Sequence, residues 1–430
     1  MNSAPDYSAY SYQELIDVVN SIDQLAYPER YAEVKRYIEH FESTGKDQDD
    51  SNALNITGTE HQLEFNGQAN EFFSIWIVNV LLSIITLGIY SAWAKVRTET
   101  YFYSNTLLDG ASFRYHAKPV QILKGRIIAF TIFSIYYFSG YYSTMLTGIT
   151  IAILALLMPA FIVMSVAFRL RNSSYRNVRF NFNKNFKKAY TIFLLPFLFM
   201  AIYIYVAIQF QSEFKPGSEY VTSDLMPLFV MPLIIGFMFP VFEYFLVKFR
   251  INHSSFGRSF FEFDSTVGSF FRIYFVAGVI FFLGIILTTM IISALSSYLF
   301  SVVSSSETDP FYVLLTTLLP MMAIYLWVFA YIQTRKTNLI INSSKIQEHQ
   351  LRSKLEVGKM AYLYFTNTFA IAFSLGLLTP WAMVRTKHYK TSCTSLISLT
   401  SLNNIIAAER EDQSAYGEEI GEMFDLDLGL

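Results

Sequence analysis

Residues 147–182 read TGITIAILALLMPAFIVMSVAFRLRNSSYRNVRFNF, and this one stretch sets out the plan of the chain. Its first part, 147–168, is almost wholly apolar, and about 20 such residues suffice to cross a bilayer core as a helix. Arg169 and Arg171 mark the exit into water, and Asn172-Ser173-Ser174 has the composition of a turn. Val178-Arg179-Phe180-Asn181-Phe182 then alternates apolar and polar residues with the period of a strand.

The same order recurs on both sides. Phe249-Arg250-Ile251-Asn252-His253-Ser254-Ser255-Phe256 repeats the helix exit and leads into the alternating run Phe260-Phe261-Glu262-Phe263-Asp264. A comparable run, Ala111-Ser112-Phe113-Arg114-Tyr115, follows the hairpin-forming pair Asp109-Gly110. Arg335-Lys336-Thr337-Asn338 opens a fourth such segment. Short strands have edges that must be paired or covered, so the pattern predicts a cytoplasmic β-rich layer beneath the helices.

Candidate spans cover 72–94, 127–143, 147–168, 189–210, 225–247, 273–296, 311–332 and 361–383. The chain is 53% hydrophobic and only 15% charged, where a soluble domain carries about 25% charged residues. The intervening segments 95–126, 169–188, 248–272, 333–360 and 384–402 hold 26 Lys/Arg, whereas 144–146, 211–224 and 297–310 hold only Lys215. The positive-inside rule makes the first group cytoplasmic. Segments 333–360 and 384–402 are both basic although 361–383 lies between them. Two solutions stand: 72–94 and 361–383 are re-entrant and six segments span with both termini inside, or all eight span with both termini outside.

Residues 72–108 and 360–396 align without a gap, matching Asn79 with Asn367, Leu87-Gly88 with Leu375-Gly376, Trp93-Ala94 with Trp381-Ala382, and Val96-Arg97-Thr98 with Val384-Arg385-Thr386. The expected fold is an α-helical polytopic membrane protein: six to eight membrane helices with internal repeats, short cytoplasmic β-strands and an N-terminal soluble helical hairpin. Its parts are an acidic helical hairpin over 1–45, a linker over 46–61, a membrane domain over 62–402 and an acidic tail over 403–430. In the hairpin, Leu15, Val18, Val19, Ile22 and Leu25 could face Tyr31, Val34, Ile38 and Phe41, with Pro28 suited to a first helical turn. Residues 1–71 hold no apolar run like that of an export signal, so the amino terminus is expected in the cytoplasm.

Thr86-Leu87-Gly88-Ile89-Tyr90-Ser91-Ala92-Trp93-Ala94-Lys95-Val96-Arg97 resembles the hallmark of the YjgN-like family of bacterial inner-membrane proteins, also classed as domain-of-unknown-function family 898. Asn105 to Gly110, Phe113 to His116, Leu378 to Arg385 and the final Gly417 to Leu430 are similar to the family's continuation. The resemblance covers about residues 62–430 and implies a multi-pass protein of the bacterial inner (cytoplasmic) membrane. It brings no reaction or substrate.

Arg97 and Arg385, with Lys95 beside the first, either anchor at the headgroup level or bind an anion or a lipid headgroup through the guanidinium fork. Asn79 and Asn367 either bond a neighbouring helix or line a polar path. Glu243 either pairs near Lys248 or marks an ion site, in a span broken by Pro227, Pro232, Gly236 and Pro240. The single cysteine, Cys393, excludes a structural disulfide within the chain and a multi-thiolate metal site. No hydrolase, metalloprotease or nucleotide-binding motif is present, so no catalytic residue, metal or cofactor is expected, and the chain is not read as an enzyme. The expected partners are the bilayer, with anionic headgroups, and a protein at the N-terminal hairpin, not nucleic acid. Three functions are carried: transport or channelling of a small, anionic solute between the repeats, a non-transporting membrane scaffold or lipid-interacting protein, and a membrane-embedded enzyme.

Overall fold

The computed structural model describes residues 18–19, 27–43, 58–213, 222–302 and 310–399. Residues 1–57 and 58–430 are separate units. In the first, helix α1 (Pro28–Ser43) starts on its proline and buries Val34 completely. Most of the helix expected before it, the greater part of the linker 46–61 and the tail 403–430 lie outside the described residues.

The second unit is built from five excursions that leave and return to one end of a sheet. Strand β1 (Thr59–Phe65) leads into α2 (Ala69–Ile85) and α3 (Ser91–Ser104), which return to β2 (Thr106–Leu108). After a tight turn, β3 (Ala111–Tyr115) leads into α4 (Pro119–Tyr142) and α5 (Thr144–Arg171), returning to β4 (Ser173–Tyr175). The pattern repeats with β5 (Val178–Phe182), α6 (Phe186–Glu213), α7 (Thr222–Asn252) and β6 (Ser254–Phe256). It repeats again with β7 (Ser259–Phe263), α8 (Val267–Val302), α9 (Pro310–Asn342) and β8 (Ser344–Ile346). The last round is β9 (His349–Ser353), α10 (Val357–Phe373), α11 (Thr379–Ser392) and β10 (Thr394–Ser398).

All ten strands pair antiparallel into a closed barrel, with β1 joining β10 on one side and β2 on the other. Five hydrogen bonds of 2.8–2.9 Å fasten the feet of the five excursions: Asn66 to Asn105, His116 to Asn172, Asn183 to His253, Asp264 to Ser343 and Lys354 to Cys393. At the opposite end the two-residue turns Asp109-Gly110 and Arg176-Asn177 have positive φ at both positions, the geometry that matches strand twist in a hairpin. The middle inward position of each strand is apolar, whereas outward ones carry Glu64, Arg114, Arg179, Glu262 and Arg352. Opposed Glu262 and Lys345 form an ion pair of 3.3 Å on that outer face. A barrel polar outside and apolar inside is built for water, not for lipid.

This corrects the expectation of a purely helical polytopic fold with isolated short strands. The strands are a complete barrel, because closure removes every edge that a β layer would leave unpaired. Strand β1 also takes Thr59, Glu60 and His61 from the segment read as linker. The helix count changes too. Among the described residues four helices are long and apolar enough to cross a membrane: α4, α5, α6 over Phe186–Val206 and α8 over Val267–Ala294. The stretches 72–94 and 361–383 are not continuous helices; each breaks into two, at 86–90 and 374–378.

From α2 onward each helix packs on the next in sequence, and α11 closes on α2, so these helices ring the same axis as the strands. Phe72, Phe249 and Phe270 are buried where helices meet the barrel, each contributing about 2–3 kcal/mol by removal from water. The outer helix faces expose Phe130, Phe133, Leu156, Leu194, Phe275 and Phe282, a continuous apolar surface that only lipid can solvate.

Candidate functional site: a cationic chamber at the barrel mouth

The helix feet carry a recurring cation. Arg169, Arg250 and Lys390 each stand three residues before the residue whose carbonyl fastens an excursion, Asn172, His253 and Cys393. Of the three, Arg169 faces the barrel mouth. There a chamber of about 300 Å³ is lined by Lys95, Glu99, Tyr103, Tyr115, Arg126 and Arg169. Glu99 is bound by Lys95 one turn earlier on α3, so Arg126 and Arg169 are left as its net charge. Arg126 is oriented by the Ser91 hydroxyl, to which it donates. Ser173 donates to the Tyr103 hydroxyl at 3.1 Å.

Burial, reinforced by nearby Glu99 and Tyr103 and opposed by Arg169, pushes the Tyr115 phenol up to about 12, so it stays a neutral hydrogen-bond donor. Burial lowers the Lys387 and Lys390 ammonium groups below the usual lysine range; at Lys387, Glu99 offsets part of this and Lys390 adds to it. Arg250 stands within electrostatic reach of both Arg169 and Glu243. Such a set suits a small carboxylate or phosphate, which gains from guanidinium forks and a water-poor wall.

The residues singled out from sequence fall differently. Of them, only Lys95 lines the chamber. Arg97 donates to the Tyr90 hydroxyl at 3.0 Å, within its own helix pair. Arg385 donates to Thr366 Oγ1 at 2.6 Å and Asn367 Oδ1 at 3.3 Å, and lies 5.0 Å from the Trp381 ring and 5.4 Å from that of Tyr362. Both arginines brace their own helix turns. Asn367 also donates to Thr386 Oγ1 at 3.0 Å, whereas the amide of Asn79, 4% exposed, has no hydrogen-bond partner among the described residues. Glu243 accepts from Lys336 Nζ at 2.9 Å and from the Tyr274 hydroxyl, tying α7 to α8 and α9. Lys248 turns instead to the Tyr244 hydroxyl at 3.1 Å. Reading the sequence alone missed Arg126, Arg169, Glu99, Tyr115, Lys387 and Lys390. The repeated arginine at each helix exit was the available signal.

A second constellation sits at the far end of the barrel. His61 Nδ1 is 3.3 Å from Asp109 Oδ1, His61 Nε2 is 3.0 Å from Ser398 Oγ, and Arg176 holds Asp109 at 2.7 Å. The outline is that of a hydrolytic triad, but Ser398 is only 3% exposed. A nucleophile must meet its substrate, so this chain of bonds is a seam joining β1, β10 and two hairpin turns.

Residues 60–423 match the family described as bacterial protein of unknown function, DUF898. Curated relatives, each called inner membrane protein YjgN, are similar over part of their length. That of Escherichia coli K12 is 30% identical over 183 residues, 41% of this chain and 44% of the relative. That of Salmonella typhimurium LT2 is 31% identical over 147 residues, 34% of this chain and 37% of the relative. That of Escherichia coli O157:H7 is 27% identical over 207 residues, 46% of this chain and 50% of the relative. The chain thus spans half or less of the length of these relatives. No solved structure matches.

Proposed function

The chain belongs to the bacterial family of unknown function DUF898 and lies in the bacterial inner membrane, and on that premise we propose that its helix ring gives small anions passage to the chamber at the barrel mouth. The observation that carries this reading is the convergence of Arg126 and Arg169, from two neighbouring helices, on one chamber with Tyr103 and Tyr115. The axis shared by helix ring and barrel supports a conduit more than a surface site.

The placement follows from topology. Every excursion begins and ends at the same barrel end, so each crosses the bilayer an even number of times. The long pairs α4–α5, α6–α7 and α8–α9 have helices of 24 to 36 residues, about 36–54 Å at 1.5 Å per residue, and cross twice each. The pairs α2–α3 and α10–α11 have helices of 17 and 14 residues and turn back within the membrane. Their turns carry Leu87 and Leu375, 95% and 94% exposed, which suit the lipid interior. The chain is then a multi-pass protein of internal repeats. The basic flanks of 361–383 enter β9 and β10, which pair, so both lie in the cytoplasm with the barrel, as the positive-inside rule asks.

The experiment is phosphate release from vesicles containing the full-length protein and loaded with inorganic phosphate. Wild type should release phosphate well above protein-free vesicles, and Arg126→Gln/Arg169→Gln should lose at least tenfold of that rate. Release equal to protein-free vesicles sinks the conduit. Wild-type release unchanged in the double variant sinks the chamber as its route.

A further inference from the structure

The inside of the barrel holds a second space, unrelated in chemistry to the chamber. A barrel of eight strands is just wide enough to be filled by its own side chains or to hold one small ligand. Ten strands make a wider barrel, and here the side chains leave a cavity of about 260 Å³. Its belt receives one side chain from each strand. Going round the barrel, β3 to β7 contribute Phe113, Tyr175, Phe180, Phe256 and Phe261, an unbroken aromatic arc. The other five strands, from β8 through β10 and β1 to β2, contribute leucine and isoleucine to the belt, and Gln347, His349 and Thr394 line the cavity beside it.

The aromatic arc is well ordered. Phe113 and Tyr175 have ring centroids 4.9 Å apart, Phe180 and Phe256 5.0 Å, and Phe180 and Phe261 6.5 Å. Most polar groups on the lining are committed: Tyr175 donates to the Leu108 carbonyl at 2.6 Å, Thr394 to the Lys390 carbonyl at 2.8 Å and the Gln347 amide to Ser259 Oγ, whereas His349 Nδ1 has no partner among the described residues. The surface these side chains turn to the cavity is therefore apolar. An apolar space of this kind stays dry, and a 150 Å³ example takes benzene. Scaling by volume gives an occupant of roughly ten heavy atoms.

We propose that the barrel is a binding site for a compact apolar group of about that size, flat enough to lie against the aromatic arc. Two sources carry this chemistry: a free aromatic or alicyclic molecule, and the apolar end of a membrane-lipid chain entering from the helix side. The site does not rest on the anion reading and stands or falls separately.

Naphthalene is the probe, added to the full-length protein in lipid nanodiscs, with empty nanodiscs as the partition control. Leu351→Trp fills the aliphatic side of the belt. The expected result is saturable one-to-one binding to wild type, weakened at least tenfold in Leu351→Trp, with the phosphate response of the chamber retained. Mass spectrometry of wild type denatured after purification separates the sources: a stoichiometric lipid chain that blocks naphthalene supports the lipid, and an empty barrel that takes naphthalene supports the free molecule. If Leu351→Trp does not fold, Phe256→Leu serves instead, and it should change the affinity for naphthalene over that for cyclohexane by at least threefold. Absence of both saturable binding and a copurifying chain overturns the proposal. So does naphthalene binding that neither substitution alters.

Discussion

Gly88 and Gly376 stand at φ +91° and +92° in the turns of the two short helix pairs, where an L side chain is strained. The turns share one hydrogen-bond pattern, with the Gly88 and Gly376 amides donating to Ser83 and Ile371 carbonyls at 2.7 and 2.8 Å. A Cβ at either glycine would meet no atom within 4 Å, so substitution tests backbone strain alone. Gly88→Ala and Gly376→Ala should each cost about 1–3 kcal/mol, seen as a lower thermal midpoint in detergent. Gly148→Ala, near the start of α5 with equal space, should instead be neutral or stabilising by up to about 1 kcal/mol. Glu243 illustrates the opposite case, a residue whose role lies in its partners. It is 14% exposed and bonded to Lys336, so Glu243→Gln leaves a charge uncompensated and should destabilise by about 3 kcal/mol. Glu243→Gln/Lys336→Met should recover most of that loss. A midpoint in the double variant no higher than in the single one would show that the pair is not the source.

At the scale of elements, hydropathy located the long helices because lipid exposure demands unbroken apolar runs, but it stopped short of their polar feet, since α4 begins at Pro119 and not 127, and α9 runs to Asn342 and not 332. The two broken stretches looked like spans to that measure, since turns made of Leu87-Gly88-Ile89 and Leu375-Gly376-Leu377 are as apolar as the helices they join. In the sequence, the re-entrant alternative came from the basic segments on both sides of 361–383 and not from hydropathy. Strand β1 was hidden for another reason: Glu60 and Glu64 face water between His61, Leu63 and Phe65, and the run reads as polar linker. The site suffered likewise. Lys95, Arg126 and Arg169 are far apart in sequence and meet only because successive excursions are fastened side by side. Arg97 and Arg385, which align in sequence, bond within their own helix pairs and do not line this chamber. Cysteine labelling tests the resulting arrangement. In a Cys393→Ser background, Tyr142→Cys, in the α4–α5 turn and 81% exposed, should react with a membrane-impermeant thiol reagent on intact spheroplasts. Asn177→Cys at the barrel tip should react only after permeabilisation, and Leu87→Cys in neither condition. Labelling of Asn177→Cys on intact cells would invert the molecule.

For the whole molecule, closure is the controlling event. Pairing of β1 with β10 joins residues more than 330 positions apart, such as Gln62 and Ser395, a link that no local periodicity reports. Once closed, the barrel shelters three histidines close to its wall. His116 is depressed below its ordinary value by burial, helped by Arg179 and Arg114. His253 is depressed by burial, helped by Lys188 and opposed by the Phe249 carbonyl. His349, 3% exposed, is depressed by burial against an opposing effect of Glu348. All three shifts favour the neutral ring in the fold. Above about pH 6.5 both folded and unfolded chains are neutral at these sites, and the histidines leave stability unchanged. As pH falls through 6.5 the unfolded chain takes up protons that the barrel refuses, so stability drops until the depressed folded values are passed. Carboxylates do not confuse this window, because unfolded Asp and Glu titrate near pH 4. The thermal midpoint should therefore fall between pH 7 and 5.5, and His116→Gln and His349→Gln should each flatten that fall. A midpoint that holds constant over the window, or that rises toward pH 5.5, would mean that the histidines accept protons within the closed barrel.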